Sequence, residues 1–159
     1  MARGNSKYRV RRIVSGGQTG VDRAALDVAI ELGIEHGGWC PRGRLAEDGA
    51  IPARYRLTET VSAEYGERTE KNALDSDGTL ILYRGKLTGG TSLTRKLAQW
   101  YRKPCITFDL EKRVSMGRAR RWLDENKIRV LNVAGPRESS APGIYGEARG
   151  FLTKLFHRG

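Results

Sequence analysis

The stretch Ser15-Gly16-Gly17-Gln18-Thr19-Gly20 constrains this chain most, because a β-branched run ends just before it and an amphipathic helix starts just after it. Ile13-Val14 close the run. Val21, Ala24, Ala25, Val28, Ala29 and Leu32 then recur at helical spacing, and Gly33 supplies a C-terminal stop. Strand, tight turn and helix in that order are the opening unit of an α/β fold. Glycine tolerates positive φ and a close ligand, and the unpaired N–H groups of a first helical turn attract anions. Gly16, Gly17, Gln18, Thr19 and Gly20, with Asp22 and Arg23 just inside the helix, are therefore candidate contacts for a phosphate-bearing small molecule. An ordinary strand-to-helix turn carries the same glycines, so the motif does not decide by itself.

The pattern recurs downstream. Thr79-Leu80-Ile81-Leu82-Tyr83 is a continuous apolar run suited to a buried parallel strand, and Thr88-Gly89-Gly90-Thr91 then opens a helix whose apolar stripe reads Leu93, Leu97, Trp100 and Tyr101. Both turns fall at the C-terminal edge of a parallel sheet, where open α/β folds bind ligands. Cys105 to Phe108 and Arg129 to Ala134 add strands. The latter runs into a third polar turn, Gly135 to Ser140, which makes Asn132, Gly135 and Arg137 candidates as well. Ala119, Trp122 and Leu123 mark the core side of a basic helix, and Ala148, Phe151, Leu152, Leu155 and Phe156 that of a final one. About five strands alternating with helices predict an α/β class, a three-layer Rossmann-like parallel sheet with helices on both faces.

Glu35 to Cys40 reads as a short second strand. The Gly- and Pro-bearing stretch from Pro41 to about Tyr55 reads as a lid that can bring Trp39, Arg42, Asp48 and Ile51 to a ligand, while Trp39 reads equally as a core anchor and Arg42 as a solvated charge. A helix from Ser62 to about Asp75 puts Tyr65, Arg68, Thr69 and Asn72 on one face. Turned towards the glycines, Arg68 reaches a phosphate and Asn72 a heterocycle; turned outward, the same face is surface. The sequence leaves both open.

With 159 residues, the chain suits one domain spanning 1–159, residues 1–7 being flexible. Lys and Arg number 29 against 18 Asp and Glu, a net charge of +11 that draws in anions. The basic residues are dispersed, at Arg9, Arg11 and Arg12, at Lys112, Arg113, Arg118, Arg120 and Arg121, and at Lys154, His157 and Arg158, without interleaved exposed aromatics. That distribution argues against nucleic acid. No apolar stretch nears the length of a membrane span, and Met1 to Lys7 lack the apolar segment of a signal peptide, which predicts a cytoplasmic protein away from membranes. Cys40 and Cys105 show neither disulfide nor metal-ligand spacing, and Cys105 reads as core. The stripe of the final helix exceeds what docking needs, which favours a homo-oligomer, although sequence does not separate docking from dimerisation.

Gly16 to Ala24, Gly38-Trp39-Cys40-Pro41, Arg42-Gly43-Arg44 with Ala46-Glu47-Asp48-Gly49, Asp75 to Thr79 and Leu87 to Thr91 together closely resemble the putative molybdenum carrier family, and the similarity runs through most of the chain. The resemblance implies a Rossmann-like fold related to the lonely-guy, or lysine decarboxylase-like, phosphoribohydrolases. It also implies the molybdenum cofactor (molybdopterin), a phosphorylated pterin, as ligand, with Gly16 to Gly20 and Thr88 to Thr91 matching the family's phosphate-facing loops. The hydrolase relatives carry Pro-Gly-Gly-x-Gly-Thr-x-x-Glu, whereas this chain has Leu87-Thr88-Gly89-Gly90-Thr91-Ser92-Leu93-Thr94 there, without the glutamate. The preferred reading is a non-catalytic carrier, its ligand's phosphate on the N–H groups of Gly17 to Gly20 or Gly89 to Thr91 and paired with Arg23, Arg42, Arg68 or Arg137. The alternatives are an N-glycosidic hydrolase acting on nucleotides, with Asp22, Asp48, Asp77 or Glu138 as its carboxylate, or a nucleotide-sensing module.

Overall fold

A computed structural model describes residues 9–157; the basic segment 1–7, expected to be flexible, and Arg158 lie outside them. The elements run β1 (Arg12–Val14), α1 (Val21–Leu32), β2 (Glu35–Gly37), β3 (Trp39–Cys40), β4 (Leu45–Ala46), β5 (Gly49–Ala50), β6 (Thr58–Glu59), α2 (Tyr65–Leu74) and β7 (Gly78–Tyr83). They continue with α3 (Gly89–Trp100), β8 (Cys105–Asp109), α4 (Met116–Glu125), β9 (Val130–Ala134) and α5 (Ile144–Phe156). Five strands form one parallel sheet in the order β2-β1-β9-β7-β8, as the alternation of strands and helices requires.

The path across the sheet decides which face each helix covers. The chain steps one way from β1 to β2 through α1 and from β8 back to β9 through α4, and the other way from β7 to β8 through α3. Right-handed crossovers therefore put α1 and α4 on one face and α3 on the other. Contacts agree, since α1 and α4 pack on α5, and α2 packs on α3. On the α1 side, Ile13, Leu80, Leu82, Leu131 and Val133 join Ala24, Val28, Leu123, Phe151 and Leu152 in one dry cluster. Truncating the fully buried Leu152 to Ala would cost about 2–5 kcal/mol there. Strand alternation sends Thr79, Ile81, Asn132 and Ala134 to the α2/α3 side, where Asn132 Nδ2 donates to Thr79 Oγ1 at 3.2 Å.

Several expectations change. Gly38, at φ 125°, divides the predicted second strand, so that Trp39–Cys40 leaves the main sheet and pairs with β6. The helix expected from Ser62 begins only at Tyr65. The stretch predicted as a lid is a docked unit. It contains the β4–β5 hairpin and a second apolar cluster in which Ile51 and Tyr55 pack on Leu26 and Cys40. Arg44 holds it in shape, its Nε donating to the carbonyl of Ile51 and its Nη2 to those of Pro52 and Tyr55. Cys105 is only half-buried because β8 is an edge strand, while Ile106 and Phe108 beside it are core. On α3 the buried side chains are Thr91, Thr94 and Ala98, while Leu93 and Trp100 of the apolar stripe are exposed and Leu97 is half-buried. The α5 stripe is internal, so docking on this chain accounts for it. Among the described residues no helix is long and apolar enough to cross a membrane.

Candidate functional site

A cavity of about 270 Å³ opens where the C-terminal ends of β1, β9 and β7 meet α2 and α3. Counted from β9, the sheet order is 3-2-1-4-5, the doubly wound arrangement, and the cavity lies where consecutive connections diverge to opposite faces. The β1–α1 turn lends Gly16, Gln18 and Asp22 to its wall. The inward face of α2 lends Arg68 and Asn72, with Tyr65, Gly66 and Thr69. The β7–α3 turn supplies Thr88, Gly89, Gly90 and Thr91, followed by Leu93 and Thr94. The strand β9 and the turn after it supply Asn132, Gly135 and Arg137, with Ala134, Pro136 and Ser140.

Hydrogen bonding separates the two Gly-Gly turns. In the first, the Gln18 N–H donates to Asp22 Oδ2 (3.1 Å), the Thr19 N–H to Gln18 Oε1 (3.0 Å) and the Val21 N–H to the Pro136 carbonyl (3.3 Å). These donors are already engaged. Gly20, at φ 81°, lets the β9–α5 turn come so close that a Cβ would lie 2.4 Å from the Pro136 carbonyl oxygen. Gly17 faces away from the cavity, its Cα towards the methyl groups of Ile51 and Leu57, which a Cβ would meet at 2.8 and 2.7 Å. A larger residue there would disturb the docked unit and leave the cavity's shape alone.

The second turn is open. Gly89 and Gly90 are exposed at the N-terminus of α3, a Cβ on either would meet nothing within 4 Å, and the Thr88 side chain does not cap the helix. No acidic residue occupies the first turn of α3, whereas Asp22 occupies that of α1. The positive end of the α3 dipole thus faces the cavity uncompensated.

The floor holds the buried pair Arg68–Asp22, with Nη1 to Oδ2 at 3.1 Å. Gly16 makes room for that guanidinium, which would clash with a Cβ. Burial pushes the Asp22 carboxyl up, against the opposing pull of Arg68 and the Gln18 N–H. Arg68 also lies over the Tyr65 ring, 5.2 Å from its centroid, and its Nε is buried without a hydrogen-bond partner. Asn72 faces the cavity but is tied to β3, accepting from the Trp39 N–H at 2.8 Å and donating to the Trp39 carbonyl at 3.0 Å. It is a strut, with its amide not turned to a heterocycle. Arg137 stands exposed at the rim.

The remaining candidates lie elsewhere. Arg23 pairs with Asp48 through Nη1 and Nη2, at 2.5 and 2.8 Å, and its Nε donates to the Gly17 carbonyl, so this pair docks the β4–β5 hairpin. Glu47 completes the joint by accepting from the Thr19 and Ser139 hydroxyls and from the Ser139 N–H, bonds that lower its carboxyl's affinity for a proton. Thr19 serves the same joint. Arg42, like Trp39 and Ile51, is absent from the cavity wall. Asp77 accepts from the N–H groups of Arg129 and Val130 at the opposite edge of the sheet. Glu138 caps α5 by accepting from the N–H groups of Gly143 and Tyr145. Of the four candidate carboxylates, only Asp22 reaches the cavity. Among the described residues no three His, Cys, Asp or Glu side chains converge as a metal site.

Thr94 and Ser140 were not foreseen as wall residues. Thr94 sits one helical turn after Thr91, a spacing that marks it once α3 is known to bury its threonine side; Ser140 closes the polar turn Gly135 to Ser140 that the sequence places at this edge.

The profile of the circularly permutated YpsA SLOG family matches residues 13–156. The chain is also similar to a "putative molybdenum carrier protein" from Syntrophus aciditrophicus SB, known from a crystal structure. Identity is 48%, over 94% of this chain and 96% of that one, with a TM-score of 0.89. No curated protein matches. A sheet order that reads 3-2-1-4-5 only when counting starts from β9 is what a circular permutation leaves behind.

Proposed function

The chain belongs to the circularly permutated YpsA SLOG family, and on that premise we propose that it binds and carries an anionic, phosphorylated small molecule of the molybdenum cofactor class without altering it. Arg68 carries the reading. Its Nε is the one buried side-chain nitrogen or oxygen among the described residues that lacks a partner, and Arg68 lines the cavity. Such an orphan donor costs roughly 1–3 kcal/mol, which an acceptor atom of a ligand recovers.

The open N-terminus of α3 supports the same ligand chemistry, because the N–H groups of Gly89 and Gly90 and an uncompensated dipole favour a phosphate, whereas the Thr91 N–H already donates to the Thr88 carbonyl at 3.1 Å. Arg137 at the rim adds a charge-assisted donor. The cavity is at the small end of ligand sites, which run roughly 300–1,000 Å³, so the ligand enters by its phosphate end and its ring system meets Tyr65 and Leu93 at the mouth. The description of the Syntrophus protein as a putative molybdenum carrier supports a molybdenum-bearing ligand, for which the pterin is our proposal. A hydrolase would need a carboxylate at the anomeric carbon. Asp22, engaged by Arg68 and the Gln18 N–H, instead positions the guanidinium.

The test is mass spectrometry and metal analysis of small molecules released from protein purified anaerobically from a molybdenum-replete host. A pterin with one molybdenum per chain is the expected result, reduced in Arg68→Ala. A nucleotide or sugar phosphate without molybdenum overturns the proposal.

A further inference from the structure

We propose that the cavity takes up a proton together with its anion, and that Asp22, with Ser15 behind it, is the site of that proton. The inference rests on the cavity's being an anion site. Of the residues that line it only Asp22, Arg68 and Arg137 are charged, and Arg137 stands at the exposed rim. On the floor, one guanidinium therefore has two claimants. Its Nη1 already serves Asp22 Oδ2, and its unpartnered Nε is what remains for the ligand. Neither member of the pair is free to withdraw. The guanidinium lies between the Tyr65 ring and Gly16, on which a Cβ would fall 1.6 Å from Arg68 Nη1, and the Asp22 carboxylate is held by the Gln18 N–H. An arriving anion thus meets an ion pair whose charges already cancel, and sets a second negative charge against the same cation in a place where water screens poorly. A proton on Asp22 removes that repulsion and leaves the guanidinium's whole charge to the ligand.

The fold supplies what a neutral carboxyl needs. Ser15, fully buried at the end of β1, interacts with the Asp22 side chain, and its own hydroxyl proton is spent on the Val133 carbonyl at 2.9 Å. The Ser15 oxygen can therefore accept from the O–H of protonated Asp22 while Asp22 Oδ2 goes on accepting from Arg68 and Gln18. The other charged groups of the surrounding elements are turned elsewhere. Arg23 of α1 holds Asp48; on α2, Glu67 accepts from the Ser62 N–H, Glu70 accepts from the Tyr101 hydroxyl, and Lys71 lies over the Trp39 ring. Arg95 and Lys96 of α3 are exposed. On β3, burial keeps the Cys40 thiol protonated. Burial likewise raises the proton affinity of the Asp22 carboxyl before any ligand arrives.

Sulfate is the probe, because it stays a dianion across the range in which carboxyl groups and histidines titrate. Its dissociation constant is read from the Arg68 Nε–H resonance at a series of pH values. Affinity should be full at low pH and fall, by at most about tenfold per pH unit, as pH rises through the raised Asp22 value. Within that window, sulfate added to a lightly buffered solution of the wild-type protein should draw protons from it. Asp22→Asn has the shape and charge of the protonated acid. It should bind sulfate at high pH as tightly as the wild type does at low pH, without that decline and without proton uptake. A pH-independent constant in the wild type, or a decline that persists unchanged in Asp22→Asn, overturns the inference and leaves the anion site standing. Proton uptake is measured on the wild type alone, so its absence overturns the inference even where the variant fails to fold. An Arg68 Nε–H resonance that sulfate moves at no pH overturns the anion site itself, and this inference with it.

Discussion

The turns at Gly16-Gly17 and Gly89-Gly90 follow the same rule in sequence, each joining a strand to a helix, yet they do opposite things in the fold. The first is closed. The N–H groups of Gln18, Thr19 and Val21 bond to Asp22, Gln18 and Pro136, and its helix carries its own carboxylate. The second presents exposed glycines at an uncapped helix with no acid in its first turn. A glycine motif therefore marks a place where backbone comes close to something, and only the hydrogen-bond partners tell whether that something is a ligand or another loop.

The largest expected effect that bears on this contrast comes from Gly20→Val. Backbone strain at positive φ and the clash with Pro136 together cost about 4 kcal/mol, read by urea denaturation. Near wild-type stability would mean that the first turn is not locked to the β9–α5 turn. Asp22→Asn comes next, costing at most about 2 kcal/mol at neutral pH through the charge-assisted bond to Arg68. Its signature is in the pH dependence. Burial raises the folded carboxyl's pKa above its unfolded value, so its contribution to stability is full at low pH. That contribution is lost as pH rises from the ordinary carboxylate range through the raised value. The Asn variant should lack this decline in a series of melts, and an unchanged profile would dissociate Asp22 from it.

Gly90→Ala should do the reverse of Gly20→Val, raising stability by up to about 1 kcal/mol because the position is helical and open. A loss would reveal a contact that the exposed turn lacks here. The smallest signal is also the most local. Titrating inorganic phosphate should move the amide resonances of Gly89, Gly90 and Thr91 and leave those of Gln18 and Thr19 in place; the opposite pattern would invert the comparison.

Periodicity made β1, α1, β7, β8, β9 and α5 legible, and with them the parallel sheet and the edge at which the cavity opens. It identified the Tyr65-Arg68-Thr69-Asn72 face as a unit, though not its direction. The direction depends on Arg68 meeting Asp22, 46 positions away, which no local pattern encodes. The predicted lid failed for a related reason. Strands of two residues have no readable period, and the stretch is fixed by distant partners such as Arg23 with Asp48 and Tyr55 with Asp27. In α3 the spacing of Leu93, Leu97 and Trp100 identifies a stripe but does not say whether it faces the sheet. Apolar spacing defines a side of a helix, while threonines and an alanine turned out to suit the sheet better.

The position of β9 has a consequence in time. It pairs with both β1 and β7, yet follows them and the other two sheet strands in the chain. During synthesis, β1–β2 and β7–β8 emerge as two separate parallel pairs with no strand between them, and each leaves an edge unpaired. The sheet becomes continuous, and the wall of the cavity complete, only after residue 134 has left the ribosome. Folding of this chain is thus a late, nearly simultaneous event, and a nascent chain halted before β9 is a substrate for chaperones.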